Sequence, residues 1–284
     1  GEHWGKDAPR RLFGDKHWAE PEAWNRAAAK AGVRRRVFCG SMCDWAEDRE
    51  DLIPHRARLF DLIQRTPWLD WLLLTKRIDR AARLLPWSPR ELPIGNTASS
   101  RPQHWGGWGK PWPNVWIGTT VEDNERARQR IPWIEGIPAA VRFLSMEPLI
   151  EDVDLDPYLW RPCTGTCSTQ RGRPAPDATC ASCCRPGGRP GFQQRRPFDW
   201  AIVGCESGDG MRPASAAWFR RTRDQVKAAG LAFFLKQAMR EAGAGGEQLI
   251  TIGAGSHVKR DLVVVAPELD GRPWAEFPTP RAVA

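Results

Sequence analysis

Four cysteines, Cys163, Cys167, Cys180 and Cys183, read C-x3-C-x12-C-x2-C, with Cys184 directly after them. Two close pairs separated by a short loop can bring four thiolates around one tetrahedral ion, and zinc accepts such a closed set. The residues between the pairs, 168–179, are polar and proline-containing and can build no core of their own. A structural zinc would supply their folding free energy, on the order of 10–16 kcal/mol at neutral pH. Two disulfides, which need an oxidising compartment, and a degenerate cluster without metal are the alternatives. Cys183 and Cys184 compete for the fourth position, and the C-x2-C spacing favours Cys183. Cys39, Cys43 and Cys205 stand at two predicted strand ends and read as buried thiols.

A second set of chemistry-bearing residues follows short apolar runs. In chain order these are Ser41 and Asp44; Thr75, Lys76 and Arg77; Thr119, Thr120 and Glu122; Ser145 and Glu147; Glu206 and Ser207; Lys236 and Gln237. Loops are polar and helix N-caps favour Ser and Thr, so part of this set needs no chemistry to explain it. Three places stand above that background. Ser145-Met146-Glu147-Pro148 sends a carboxylate off a strand with no helix immediately after it. Gly204-Cys205-Glu206-Ser207-Gly208 joins an acid to glycines that allow close backbone approach. Lys236 ends a strongly apolar run, which would hold its ammonium at a rim. A lining role is expected for Glu147, Glu206 and Lys236 before a catalytic one.

The elements that must position these residues form a recurrent unit of apolar strand, polar cluster and amphipathic helix. Strands are predicted at Arg36–Gly40, Asp70–Thr75, Asn114–Thr119, Val141–Ser145, Asp199–Gly204 and Leu231–Leu235. Helices are predicted near Pro54–Gln64, Lys76–Leu85, Glu122–Arg130 and Ala214–Ala229, the last closed by Gly230. Near-continuous apolar strands alternating with helices imply a parallel sheet covered on one face by helices. The favoured class is α/β, a partial TIM-like (β/α)6 barrel, with an open doubly wound sheet as the alternative. In such a barrel the polar strand ends gather at one face. The pattern divides the chain into a first barrel part, residues 1–149, a zinc-ribbon-like insert, 150–198, a last barrel part, 199–240, and a C-terminal extension, 241–284.

The 284 residues are 41% hydrophobic and 27% charged, a globular balance, and carry a net charge of +8. A basic chain is compatible with a nucleic-acid partner, as is an Arg-rich surface without one. No apolar run reaches the ~20 residues that span a bilayer, which predicts a protein with no membrane partner. Sixteen tryptophans stand against one tyrosine. Trp71, Trp116 and Trp200 at strand starts and Trp24, Trp133 and Trp218 before helices read as core. Trp105, Trp108 and Trp112 lie in a Gly/Pro loop expected to pack on the barrel, with base stacking as the alternative. The first residue is Gly1, and residues 1–16 read as mid-sequence material, which predicts further chain upstream.

At these residues the sequence resembles the phage Gp-thirty-seven/Gp-sixty-eight family, a radical-SAM-like group. The matching phrases are Arg36-Val37-Phe38-Cys39-Gly40-Ser41 with Asp44, Asp70-Trp71-Leu72-Leu73-Leu74-Thr75-Lys76-Arg77, and Pro113-Asn114-Val115-Trp116-Ile117-Gly118. They continue with Arg142-Phe143-Leu144-Ser145-Met146-Glu147-Pro148-Leu149, Asp199-Trp200-Ala201-Ile202-Val203-Gly204 with Glu206-Ser207-Gly208, and Phe234-Leu235-Lys236-Gln237. The resemblance implies a [4Fe–4S] cluster and S-adenosylmethionine, with the cluster held by a three-cysteine segment that these 284 residues lack and that would lie upstream. It implies that Ser41, Lys76, Glu147, Glu206, Ser207 and Lys236 face the cofactor and substrate. It also implies a phage or prophage protein in the cytoplasm of a bacterial host.

Two function classes follow. One is an enzyme modifying or repairing a nucleic-acid component; the other is a zinc-containing barrel that binds nucleic acid without chemistry. A metal-dependent hydrolase is the weaker third reading, because none of His3, His17, His55, His104 and His257 ends a predicted strand.

Overall fold

The computed structural model describes residues 8–39, 43–89, 107–162, 192–207, 210–239, 250–251, 257–259 and 263–282. Six parallel strands form its centre: β1 (Arg35–Cys39), β2 (Leu69–Thr75), β3 (Val115–Thr120), β4 (Val141–Met146), β7 (Trp200–Gly204) and β8 (Ala232–Met239). The short strands β5 (Trp160–Pro162) and β6 (Phe192–Gln194) pair with each other, antiparallel, outside that sheet. The main sheet runs β1-β2-β3-β4-β7-β8 and then adds β11 (Val263–Val265) and β10 (His257–Lys259) antiparallel. A third, three-stranded sheet joins β9 (Ile250–Thr251), β12 (Glu268–Leu269) and β13 (Arg272–Pro273).

The parallel strands stand side by side in chain order. A doubly wound sheet would reverse direction at a switch point, whereas a barrel adds each strand beside the last. The sheet curls into a half-barrel, and β1 is not hydrogen-bonded to the far edge. The mixed α/β class expected from the strand–helix alternation is therefore correct, and the open doubly wound alternative is not. The six predicted strands all form, each within a few residues of its expected bounds.

Helices α1 (Asp15–Ala31), α2 (Ile53–Arg65), α3 (Ile78–Leu84), α4 (Asn124–Gly136) and α6 (Ala216–Ala228) accompany the strands, with a single turn, α5 (Asp156–Leu159), after β4. Pro54 sits in the first turn of α2, where its missing N–H costs nothing. Asp123 caps α4 through Arg126 N–H, and Ser215 caps α6 through Ala217 N–H. Gly230 follows α6 at φ +64°, the left-handed position that glycine adopts without a Cβ penalty. Two helix expectations need correction. The third predicted helix starts at Asn124 rather than Glu122 and continues past Pro132 to Gly136. Trp24, Trp133 and Trp218 lie inside α1, α4 and α6 rather than before them.

The helix-covered face holds the larger core, including Leu73, Ile117, Leu144, Val203, Phe233 and Leu235 with Ile63, Ile131 and Phe219 from the helices. Leu149, Val153, Leu155 and Leu159 continue that core beyond β4. Trp108 and Trp112 pack on it as expected, and Trp112 meets Phe60 and Trp87 at ring-centroid distances of 6.0 and 5.8 Å.

The concave face carries a second, aromatic cluster: Leu72, Trp116, Val141, Phe143, Trp200 and Ile202, with Leu74 and Phe234 partly buried against it. Gly118 on β3 makes room for it. A Cβ there would fall 2.5 Å from Cε1 of Phe143 and nearer still to Cε2 and Cζ, so the Phe143 ring lies directly on the β3 backbone.

The chain after β13 closes the N-terminal mouth of the half-barrel. Leu235 N–H donates to Trp274 O at 2.8 Å, and Glu276 N–H donates to Phe233 O at 3.2 Å. Phe277 then packs on Trp200 and Phe234, and the Arg36 guanidinium of β1 lies 3.8 Å over its ring. Farther on, Arg281 donates to the Asp199 carboxylate at 2.9 and 2.7 Å, and its N–H reaches Ala140 O. Asp199 is buried, so this pair fixes the strap beneath β4 and β7.

Candidate functional site

At the opposite mouth, the C-terminal ends of the strands present a ring of acid–base pairs. Asp44, after β1, is the most heavily bonded acid. It accepts from Thr75 Oγ1 at 2.6 Å, Arg77 Nη1 at 2.8 Å, Lys76 N–H at 3.2 Å and Ala46 N–H at 3.0 Å. Those bonds tie the loop after β1 to the end of β2. Glu47 beside it takes the Arg10 guanidinium, which lowers its carboxyl further than burial raises it. With its oxygens committed in this way, Asp44 positions the rim.

Lys76, at the end of β2, reaches Glu122 after β3, with Nζ 3.1 Å from Oε1. Arg130 of α4 bonds the other oxygen of Glu122 at 2.8 Å and the carbonyl of Thr120 at 2.7 Å. Glu122 is thus a largely buried acid between two cations, only one of which, Lys76, is solvent-exposed.

Glu147, after β4, meets Lys236 of β8 with Oε2 3.2 Å from Nζ. The Glu147 side chain is 13% exposed and that of Lys236 53%. Between their strands lies β7, and the pair spans it because Gly204 has no side chain. A Cβ at Gly204 would stand 2.5 Å from Glu147 Oε1 and 3.1 Å from Gln237 Cγ. Gln237 itself turns inward and donates to Cys205 O at 2.7 Å, which locks the end of β8 to β7.

Glu206, after β7, is gripped by Arg212. The guanidinium donates at 2.9 and 3.0 Å and the Arg212 N–H at 2.9 Å, which holds the carboxyl down at about 2. Ser207 follows it, exposed. Arg212 is the residue of this pair that sequence reading missed. Its six-residue separation from Glu206 across a glycine-rich turn was the available signal.

The structure therefore brings Lys76, Glu147, Glu206, Ser207 and Lys236 to one end of the sheet, as the strand-end argument requires. Ser41 and the cysteines Cys163, Cys167, Cys180, Cys183 and Cys184 lie outside the described residues. Among the described residues no three His, Cys, Asp or Glu side chains form a metal-binding group. Burial pushes the thiols of Cys39 and Cys205 up to about 12, and Cys43 is raised by burial and then by Asp44 and Glu47. Of the three expected buried thiols only Cys205 is buried; Cys39 is half-buried and Cys43 exposed, because the loop after β1 stands at the sheet edge. No helix among the described residues is long and apolar enough to cross a membrane.

Beneath the charged rim the concave wall is apolar, with buried Thr120 and Ser145 facing each other across β3 and β4. The rim thus sets the exposed ammoniums of Lys76 and Lys236 above an apolar wall. No curated protein and no solved structure matches the chain. The family description "Protein of unknown function (DUF5131)" matches residues 2–278, nearly the whole chain, and the chain belongs to that family.

Proposed function

We propose that this chain is the barrel of a radical-SAM-like phage or prophage enzyme, cytoplasmic in a bacterial host, that modifies or repairs a nucleic-acid component. The observation that carries the reading is the Glu147–Lys236 pair laid across Gly204 at the C-terminal mouth of an open parallel half-barrel. Ligands of such barrels bind at that mouth. A carboxylate and an ammonium held 3.2 Å apart complement the ammonium and carboxylate of an amino-acid group such as that of S-adenosylmethionine. In this reading Ser41, Lys76, Glu206 and Ser207 complete the wall around cofactor and substrate.

The described residues do not suit a [4Fe–4S] cluster. Cluster iron needs thiolates, and Cys39, Cys43 and Cys205 form no three-ligand group among the described residues. In this reading the cluster ligands would have to come from a three-cysteine segment that these 284 residues do not contain. The cysteine insert would hold zinc separately through Cys163, Cys167, Cys180 and Cys183, with β5 and β6 pairing as the stem of that excursion. Residues 161–196 contain seven arginines and one aspartate, 7 − 1 = +6 of the net +8, which suits phosphate contacts.

That basic excursion also supports a second reading, a non-catalytic zinc-containing barrel that binds nucleic acid. Metal analysis separates the two. The chain is expressed anaerobically together with its upstream coding sequence, and iron, sulfide and zinc are counted per chain. Near four irons with one zinc, and reductive cleavage of S-adenosylmethionine, is the expected result. Zinc without iron would leave the binding reading.

A further inference from the structure

The concave face has features that a merely structural wall would not need. Its opposite face is covered by helices, whereas here the edge strand β1 leaves Phe38 40% exposed. Phe38 stands 6.2 Å from Phe143 at 54°, a tilted contact that leaves part of its ring open. Phe143 is fully buried and pinned on Gly118, so it gives that open ring a fixed backing.

Three polar atoms on this same face, Trp116 Nε1, Thr120 Oγ1 and Trp200 Nε1, are buried without a hydrogen-bond partner among the described residues. Their residues are 1%, 2% and 3% exposed. Buried polar groups are normally satisfied, because leaving one unmade forfeits its hydration. Trp116 and Trp200 begin their strands beneath the strap, whereas Thr120 ends β3 on the side of the charged rim, where its hydroxyl suits a ring nitrogen or carbonyl of a heterocycle. The strap through Phe277 closes the N-terminal mouth, so a ligand enters past Lys76 and Lys236, whose exposed ammoniums suit a phosphate.

We infer that the concave face is a nucleobase-binding site in which the ring stacks on Phe38 against Phe143 and is hydrogen-bonded by Thr120. The inference deepens the proposed function by naming the substrate class of the same mouth. Base stacking tolerates any base, since each has a π-face.

The test uses the chain as it stands, without iron or reductant. Binding of the four nucleoside 5′-monophosphates is measured by equilibrium dialysis and by tryptophan quenching, with ribose 5-phosphate as the probe that lacks a base. The nucleotides are expected to bind and ribose 5-phosphate to fail. Phe38→Ala should weaken nucleotide binding by about tenfold or more, and Phe38→Trp should retain it. Thr120→Val should weaken binding several-fold while leaving the circular dichroism and melting temperature intact or improved. Equal binding of ribose 5-phosphate, no binding of any nucleotide, or unchanged affinity in a folded Phe38→Ala variant would each overturn the inference. Because no step depends on a cluster, such a failure leaves the metal analysis untouched, and an iron-free protein that binds bases would fail only the radical-SAM reading.

Discussion

Replacing Gly118 by alanine probes the device that shapes the concave face. The added methyl would sit 2.5 Å from Phe143 Cε1 and closer to two further ring atoms, where carbon–carbon contact requires about 3.5 Å or more. The ring must therefore retreat by roughly 1 Å or more. It has little room to do so, since Phe143 is fully buried between Trp200 at 6.0 Å and Phe38 at 6.2 Å. Overpacking of this kind costs about 1–3 kcal/mol, and the top of that range is expected because the clash involves one whole ring edge. Removing the ring alone, Phe143→Ala, should cost about 3–5 kcal/mol through lost burial and a cavity. In the double variant the new methyl occupies part of the volume that the ring vacates, so the two losses should not add. A coupling of about 1–3 kcal/mol is expected. Urea unfolding followed by tryptophan fluorescence and by far-UV circular dichroism, with coincident transitions, gives the four stabilities. Additivity within about 0.5 kcal/mol would refute the account of Gly118 as the seat of Phe143.

Two further predictions concern charge. The Glu206 carboxyl is held near 2 by Arg212, below the ordinary glutamate value, so the stability it contributes is present above about pH 4.3 and is lost as pH falls toward 2. Because the pair is exposed, a Glu206→Gln/Arg212→Ala cycle at pH 7 should give a coupling of no more than about 1 kcal/mol, and a carbon-detected NMR titration should show an ordinary midpoint for Glu206 in Arg212→Ala. Arg281→Ala removes a two-point bond from buried Asp199, which keeps Arg142 N–H at 2.9 Å; the expected loss is about 1.5–3 kcal/mol, read by urea unfolding. A neutral result there would mean that the strap is not held by this pair.

The six central strands were legible because each is a short apolar run between turn residues, but the alternation with helices suits a barrel and a doubly wound sheet alike, so only the structure gives their order. The helix α1 was foreseen only as one beginning after Trp24, and its start at Asp15 was missed. Only Pro21 and Ala28 of its seventeen residues are buried, so its apolar stripe is too thin to stand out. The antiparallel additions β10 and β11 are three-residue strands, which carry no period of their own. At the rim, strand ends indicated which residues would gather but not which would pair. Glu147 and Lys236 are 89 residues apart, and their contact depends on Gly204, a third residue on a third strand. The same holds for Gly118 and Phe143: composition marks a glycine in a strand, while only the sheet register shows whose ring needs the space.

The strap beneath the half-barrel has a consequence for the order in which the molecule is made. Residues 274–281 follow in the chain every strand that they cover, so on the ribosome the sheet emerges before its lower mouth can be closed. Until Phe277 arrives, Trp200 and Phe234 have one aromatic neighbour fewer, and until Arg281 arrives the Asp199 carboxylate lacks its guanidinium. A nascent chain stalled before residue 274 should therefore display an open aromatic trough at both mouths, the form in which this sheet is most exposed to holdase chaperones and to its own neighbours.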